Sequence, residues 1–286
     1  MIDVALATCQ SLPEPDADRA LLLDALKEAG ITAEWLAWDD PKANFKQARL
    51  TVLRSTWNYI QQRDAFIDWA DALGFRLCNP PSIVRWNTHK RYLRELDELA
   101  KLPVVPTILL PKAVKAKLGD VLKAKHWFSA VAKPAIGAGS FCTRRVSSSD
   151  DDAQWLEAQL RERDMLLQPY MSNVESSGER ALVYIEGEVT HAVRKSPRFT
   201  GNDESVETCE VAEDERALAH RAMSWVMREI PGGGLLYGRI DMVRDAEGAP
   251  RIMELELTEP SLFFAQNPAA LAKFIAGIKR RLDMVR

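Results

Sequence analysis

The chain has 286 residues, 47% of them hydrophobic and 28% charged, and its 38 basic and 41 acidic side chains leave a formal charge of −3. That length suggests about two domains of roughly 100–200 residues, and the composition excludes disorder, collagen and a coiled coil. The balanced charge argues against nucleic-acid and membrane partners, and no apolar run nears the roughly 20 residues of a membrane span. The opening Met1-Ile2-Asp3-Val4 lacks the basic region of a secretory signal, so a cytoplasmic protein is expected. In chain order, a strand is predicted over 4–7 and a helix over 16–29. In that helix Leu22, Leu23, Leu26 and Ala29 recur at helical spacing, Asp16 or Asp18 lies near the start, and Gly30 follows the end. Strands over 33–37 and 50–53 and a helix over 64–73, stopped by Gly74, complete a pattern that predicts a parallel sheet covered on both faces.

Asn79-Pro80-Pro81 punctuates the chain, and Asn87 or Thr88 is expected to cap a helix running to Ala100 with Tyr92, Leu93, Leu96 and Leu99 as its apolar stripe. A hairpin over 128–146, with its second strand from 141, is followed by a helix over 150–163 and a strand over 165–168. Two strands over 181–195 flank Glu186-Gly187-Glu188. The polar segment 200–212 reads as a loop, and a helix over 213–228 and strands over 235–244 and 251–257 follow. The four cysteines (9, 78, 142, 209) and four histidines (89, 126, 191, 220) show neither C-x-x-C nor ligand spacing, which argues against a zinc site or a disulfide framework.

Three stretches carry chemistry. In Arg239-Ile240-Asp241 and Glu254-Leu255-Glu256, strand alternation places Arg239 with Asp241 on one face and Glu254 with Glu256 on one face. Paired as a hairpin, the two strands bring three carboxylates and an arginine together, a set suited to Mg²⁺ or Mn²⁺ with phosphate, or equally to a solvated sheet face. Lys133 ends a strand before the small-residue run Pro134-Ala135-Ile136-Gly137-Ala138-Gly139-Ser140, which fits a phosphate cradle or an ordinary tight turn; it is not a Walker A loop. Leu166-Leu167-Gln168-Pro169-Tyr170-Met171 ends a strand at a proline, leaving backbone groups for a purine edge or serving as a linker.

Together with Lys90 and Gly178-Glu179-Arg180, these elements resemble the ATP-grasp superfamily, which includes glutathione synthetases, RimK-type glutamate ligases and D-alanine–D-alanine ligase. Arg54-Ser55-Thr56-Trp57-Asn58-Tyr59 and the run from Glu256 to Phe264 look closest to the O-ureido-serine cyclo-ligase (D-cycloserine synthetase) branch. The resemblance implies an α/β (α+β) ATP-grasp fold: an N-terminal parallel-sheet domain over 1–88 and two subdomains, 89–168 and 169–286, clasping ATP.

It also implies roles. Lys90 and Lys133 would hold the α- and β-phosphates beside Gly137, Gly139 and Ser140; the backbone of Gln168, Pro169, Tyr170 and Met171 would meet adenine, and Glu179 the ribose. Asp241, Glu254 and Glu256 would hold Mg²⁺ (or Mn²⁺), Lys195 the γ-phosphate, Arg239 the transferring phosphoryl group, and Arg180 a substrate or phosphate group. Arg54, Thr56 and Trp57 are substrate candidates: Arg54 is placed to clamp a carboxylate or to form a structural ion pair, and Trp57, Trp86 and Phe263 to shape a pocket or pack in the core. Two departures stand out. Glu256 replaces a usual asparagine, and the loop after Lys195 (Phe199-Thr200-Gly201-Asn202-Asp203-Glu204-Ser205) lacks the lid arginine of relatives, for which Arg198 is a substitute.

The implied activity is ADP-forming ligation through an acyl phosphate of a small amino-acid-type carboxylate, in a possible homo-oligomer, by ring closure or by amide coupling. A glutathione-synthetase- or RimK-like peptide ligase, a nucleotide-binding protein and a phosphotransferase are the alternatives.

Overall fold

The computed structural model describes residues 1–12, 17–196, 205–232 and 234–285. Strands β1 (Ile2–Thr8), β2 (Ala33–Ala37), β3 (Ala48–Ser55) and β4 (Leu77–Cys78) form a parallel sheet in the order β2-β1-β3-β4. Alternation along β1 explains its two covers. Val4 and Leu6 pack on Leu22 and Leu26 of α1 (Arg19–Glu28), with Phe274 and Ile278 from a C-terminal helix beyond them. Ala5 and Ala7 meet Phe66, Ala70 and Leu73 of α2 (Arg63–Leu73). Gly74 stops α2 at φ +58°, as expected of a residue without Cβ. Of the two acids expected near the start of α1, Asp16 lies outside the described residues. Asp18 occupies the N-cap position, but its carboxylate accepts from the Phe264 amide and pairs with Arg54 instead of capping.

Between 81 and 98 the chain forms two short helices, α3 (Pro81–Asn87) and α4 (Tyr92–Glu98), where one was expected. Leu99 is 68% exposed, so the apolar stripe ends at Leu96. A second sheet, β5-β8-β6-β7, joins β5 (Ile108–Leu110), β6 (Ala130–Pro134), β7 (Arg144–Val146) and β8 (Met165–Pro169), all antiparallel. Helices α5 (Leu118–Ala124) and α6 (Asp150–Glu162) pack against it. The predicted hairpin is present, but its second strand starts at Arg144, because 137–143 is taken up by the Gly137–Ser140 turn.

The third sheet runs β11-β10-β9-β12-β13 through β9 (Glu179–Ile185), β10 (Glu188–Lys195), β11 (Val206–Cys209), β12 (Tyr237–Arg244) and β13 (Pro250–Glu256), entirely antiparallel. A single turn, α7 (Val174–Ser177), precedes it. Part of the segment expected as a loop is therefore strand β11. One face, with Leu182, Ile240 and Met242, packs on Leu218, Ala222 and Val226 of α8 (Glu213–Glu229). The other carries Val183 and Tyr237 against α9 (Pro268–Met284), whose far side meets the parallel sheet.

Three buried side chains lock the two sheets together. Asn79 donates to the carbonyls of Tyr237 and Leu257 and accepts from the Leu236 amide. The Tyr237 hydroxyl donates toward the carbonyls of Leu53 and Thr258. Asn87, expected as a helix cap, instead clamps β13: its amide donates to the Leu255 carbonyl and accepts from the Leu257 amide, both at 2.7 Å. It thereby imitates a strand partner on both sides of Glu256. Asn87→Ala is expected to cost about 2–3 kcal/mol, since two buried backbone groups lose their partner. A thermal melt checks this. Among the described residues no helix is long and apolar enough to cross a membrane, and the four cysteines are free.

Candidate active site

The hairpin of β12 and β13 builds the site. Its turn is tied by Asp245, which accepts from the amides of Glu247 and Ala249 and from Arg251, while Gly248 takes φ +82°. The resulting register sets Arg239 opposite Glu256 and Asp241 opposite Glu254. Alternation on β9 and β10 adds Glu179 and Lys195, paired with each other, to the same face.

The charges on this face interlock. Arg239 grips Asp241 in two-point fashion at 2.7 and 2.8 Å, reaches Glu256 at 2.5 Å and donates to the Ser261 carbonyl at 3.3 Å. Lys195 joins Asp241 at 3.0 Å and also pairs with Glu179. From the other side, Glu254 receives Lys133 at 3.2 Å and pairs with Lys90, whose ammonium also donates to the Gly137 carbonyl at 3.0 Å. The small-residue loop and both lysines are thus tied to one carboxylate of the hairpin. The sequence reading of three converging carboxylates holds in register but not in side-chain direction: each turns to a protein cation. Among the described residues no three His, Cys, Asp or Glu side chains are grouped closely enough to hold a metal ion by themselves.

Five carboxylates (Glu179, Asp241, Glu254, Glu256, Glu259) face four cations (Lys90, Lys133, Lys195, Arg239) here. Burial pushes every carboxylate up, and neighbours decide the outcome. Lys133 and Lys90 overcome burial at Glu254 and hold it at about 2. Arg239 and Lys195 do the same for Asp241, which stays well below the usual range. At Glu256 burial wins over Arg239, helped by Asp241 and Glu254, and its pKa rises. Glu179 is pushed up to about 7 and Glu259 to about 8, mainly by burial.

Other expected residues are placed differently. Arg180 alternates with Glu179, so it lies on the opposite face, ion-paired at 2.6 Å with the buried Glu215 of α8. Its guanidinium faces α8 and does not reach the cluster. Trp86 donates to Glu95 at 2.6 Å and packs on Tyr92 and Trp225, so it belongs to the core and does not shape a pocket. Arg54 is 1% exposed, lies 3.7 Å from Asp18 and faces the Tyr237 ring, in agreement with the structural ion-pair reading.

Thr56 is fully buried, and its hydroxyl has no hydrogen-bond partner among the described residues. The Trp57 indole donates to the Glu259 carbonyl at 3.1 Å, and Phe263 lies 5.7 Å from the Arg239 guanidinium. Gln168 is buried and donates to Thr107, and Pro169 closes β8 opposite Ala130. The Tyr170 amide donates to Ser129 and the Met171 carbonyl accepts from Val174, so those two groups are not left free at the strand end. Arg145 stacks at 3.7 Å on the Tyr170 ring. Arg198 and Phe199–Glu204 lie outside the described residues. Sequence reasoning missed Glu259 and the clamps Asn87 and Tyr92, whose hydroxyl accepts from the Leu255 amide. The one signal was an acid three residues beyond Glu256.

A family profile described as the N-terminal domain of D-cycloserine synthetase DcsG matches residues 4–79. The chain is 31% identical over 291 positions to the cycloserine biosynthesis protein DcsG of Streptomyces lavendulae, covering 93% of this chain and 94% of that one. The crystal structure of D-cycloserine synthetase DcsG superposes with a TM-score of 0.86 at 30% identity, over 98% of this chain and 99% of that chain. D-alanine–D-alanine ligase from Bacillus anthracis complexed with ATP does so at 0.73 and 14% identity, over 100% of this chain and 98% of that chain. Three sheets in this arrangement, with lysines and carboxylates interlocked on one face, define an ATP-grasp ligase: an ATP-dependent, ADP-forming enzyme that makes a carbon–nitrogen bond. The chain belongs to the D-cycloserine synthetase (DcsG) family.

Proposed function

We propose that the protein activates the carboxylate of a small amino-acid derivative of the O-ureido-serine type as an acyl phosphate and closes it into a ring. The observation that carries this reading is the cluster in which Lys90, Lys133, Lys195 and Arg239, drawn from two sheets and a helix link, interlock with Asp241, Glu254 and Glu256. Lys90 and Lys133 exchange Glu254 for the α- and β-phosphates, the Gly137–Ser140 turn follows them, segment 168–171 takes the adenine edge and Glu179 the ribose. The hard oxygen donors and the surplus negative charge fit a divalent cation, which Asp241, Glu254 and Glu256 would hold. When bound, Mg²⁺ neutralises phosphate charge.

Lys195 attracts the γ-phosphate while the substrate carboxylate attacks phosphorus in line and ADP departs. A nitrogen of the same substrate then attacks the acyl carbon, loses its proton and expels inorganic phosphate. Arg239 stabilises the oxyanion of that step. Its family membership supports ring closure over peptide coupling.

The test measures Mg²⁺-dependent ADP release with O-ureido-serine, free amino acids and short peptides, with the double variant Asp241→Asn/Glu254→Gln as control. Release driven by O-ureido-serine, a cyclic product by mass and silence in the control are expected. A linear product from paired amino acids or peptides would establish amide coupling instead. ATP binding without stimulated release would reduce the protein to a nucleotide binder, and failure to bind ATP would overturn the reading.

A further inference from the structure

Asp241, Glu254, Glu256 and Glu179 each have a lysine or arginine within 4 Å. Glu259 does not: among the described residues no cation forms an ion pair with it, although it is only 8% exposed. Lys90 is the positive charge that acts on it, but its ammonium is committed to Glu254 and the Gly137 carbonyl. The backbone around Glu259 is tied down. Its own carbonyl accepts from the Trp57 indole, and the preceding carbonyl, of Thr258, accepts from the Tyr237 hydroxyl at 2.8 Å. The Tyr59 hydroxyl hydrogen-bonds to its carboxylate.

Trp57 and Tyr59 belong to the turn that leaves the carboxyl end of β3, the end of a parallel sheet where ligands bind. Thr56, with its buried and unpartnered hydroxyl, heads the same turn. A buried carboxylate without a cation is costly, and two remedies exist: it keeps its proton or a cationic ligand arrives.

We propose that Glu259 recognises a positively charged amino group on the substrate, selecting amino-acid-type carboxylates whose ammonium supplies the counter-ion that the protein withholds. The inference rests on the ligase reading above and names the chemical class its substrate site accepts. It also gives a purpose to the place of Glu259 between the parallel sheet and the end of β13: the ammonium and the carboxylate to be activated sit on one small molecule, so fixing the first aims the second.

The experiment compares full-length wild type with Glu259→Gln, which keeps the size and the Tyr59 contact. It uses O-ureido-serine and the analogue in which hydrogen replaces the α-amino group. In the variant KM for O-ureido-serine should rise about tenfold or more, as for loss of a charged hydrogen bond, with KM for ATP unchanged. The desamino analogue should be used equally by both proteins. Equal losses with both compounds, or a loss read in KM for ATP or in Mg²⁺ dependence, would overturn the inference. If wild type turns over neither compound, the ring-closure reading fails instead. Calorimetry on the ATP-bound protein then decides: binding of serine but not of 3-hydroxypropionate upholds the amino-group site, and binding of both or of neither overturns it.

Discussion

Arg239→Lys is expected to lower kcat by about 10²–10³-fold, the cost of removing one preorganised group from developing charge. The substitution keeps the charge and loses the fork. Arginine spans both oxygens of Asp241 while also reaching Glu256 and the Ser261 carbonyl; an ammonium is a point charge that satisfies one of these at a time. The buried Asp241 and the half-buried Glu256 then stand as neighbouring carboxylates, so stability falls too, by less than the roughly 3–5 kcal/mol of a fully buried broken pair. Single-turnover ADP formation reads phosphoryl transfer and product formation reads the second step, and both should slow. A folded lysine variant whose kcat stays within tenfold of wild type would sink the role given to Arg239.

The metal-free, nucleotide-free protein should be most stable near pH 5 and lose stability towards pH 8. Two carboxyls set the alkaline limb. Glu179 and Glu259 titrate at about 7 and about 8 in the folded protein against 4.5 in the unfolded chain. Their protons stabilise the fold fully below about 4.5, and that contribution disappears as the pH climbs through the folded values. Asp241 and Glu254 act in the opposite sense: held below their unfolded values of 3.8 and 4.5, they stabilise above those values and lose their contribution as acid protonates them.

Each raised carboxyl should contribute a fall of at most about 1.4 kcal/mol per pH unit between its unfolded and folded values, on the order of 3–5 kcal/mol across the whole window before solvent screening. The Glu179 side chain is 22% exposed and contributes the smaller share. Melting temperatures in EDTA from pH 4 to 9 check this. Glu179→Gln and Glu259→Gln should each flatten the fall above pH 5, and an unchanged slope in both would show that these carboxyls ionise normally.

The alternation in Arg239-x-Asp241 and Glu254-x-Glu256 was legible because a strand has period two, and the Asp245–Gly248 turn pins the register that makes the strands face one another. The same period sets Arg180 on the face opposite to Glu179, towards α8, a placement that alternation alone foretells. Asn87 was legible as a polar residue at a helix boundary. Whether such a side chain caps its own helix or clamps a strand depends on what lies across from it, and β13 is 168 residues away. Trp86 shows the same limit: an aromatic side chain serves a pocket or a core equally well until its neighbours are known.

By itself, the sequence determined the strands and most of the helices, the parallel N-terminal sheet, the faces of the β12–β13 hairpin and the family, all properties of local periodicity and of residue order. The tertiary structure alone decided which carboxylate meets which cation. Lys90 and Lys133 reach Glu254 across 164 and 121 residues, and Glu259 is left without a counter-ion. Electrostatic interactions follow distance in space and exclusion from water, and neither is written in the spacing of residues along a chain.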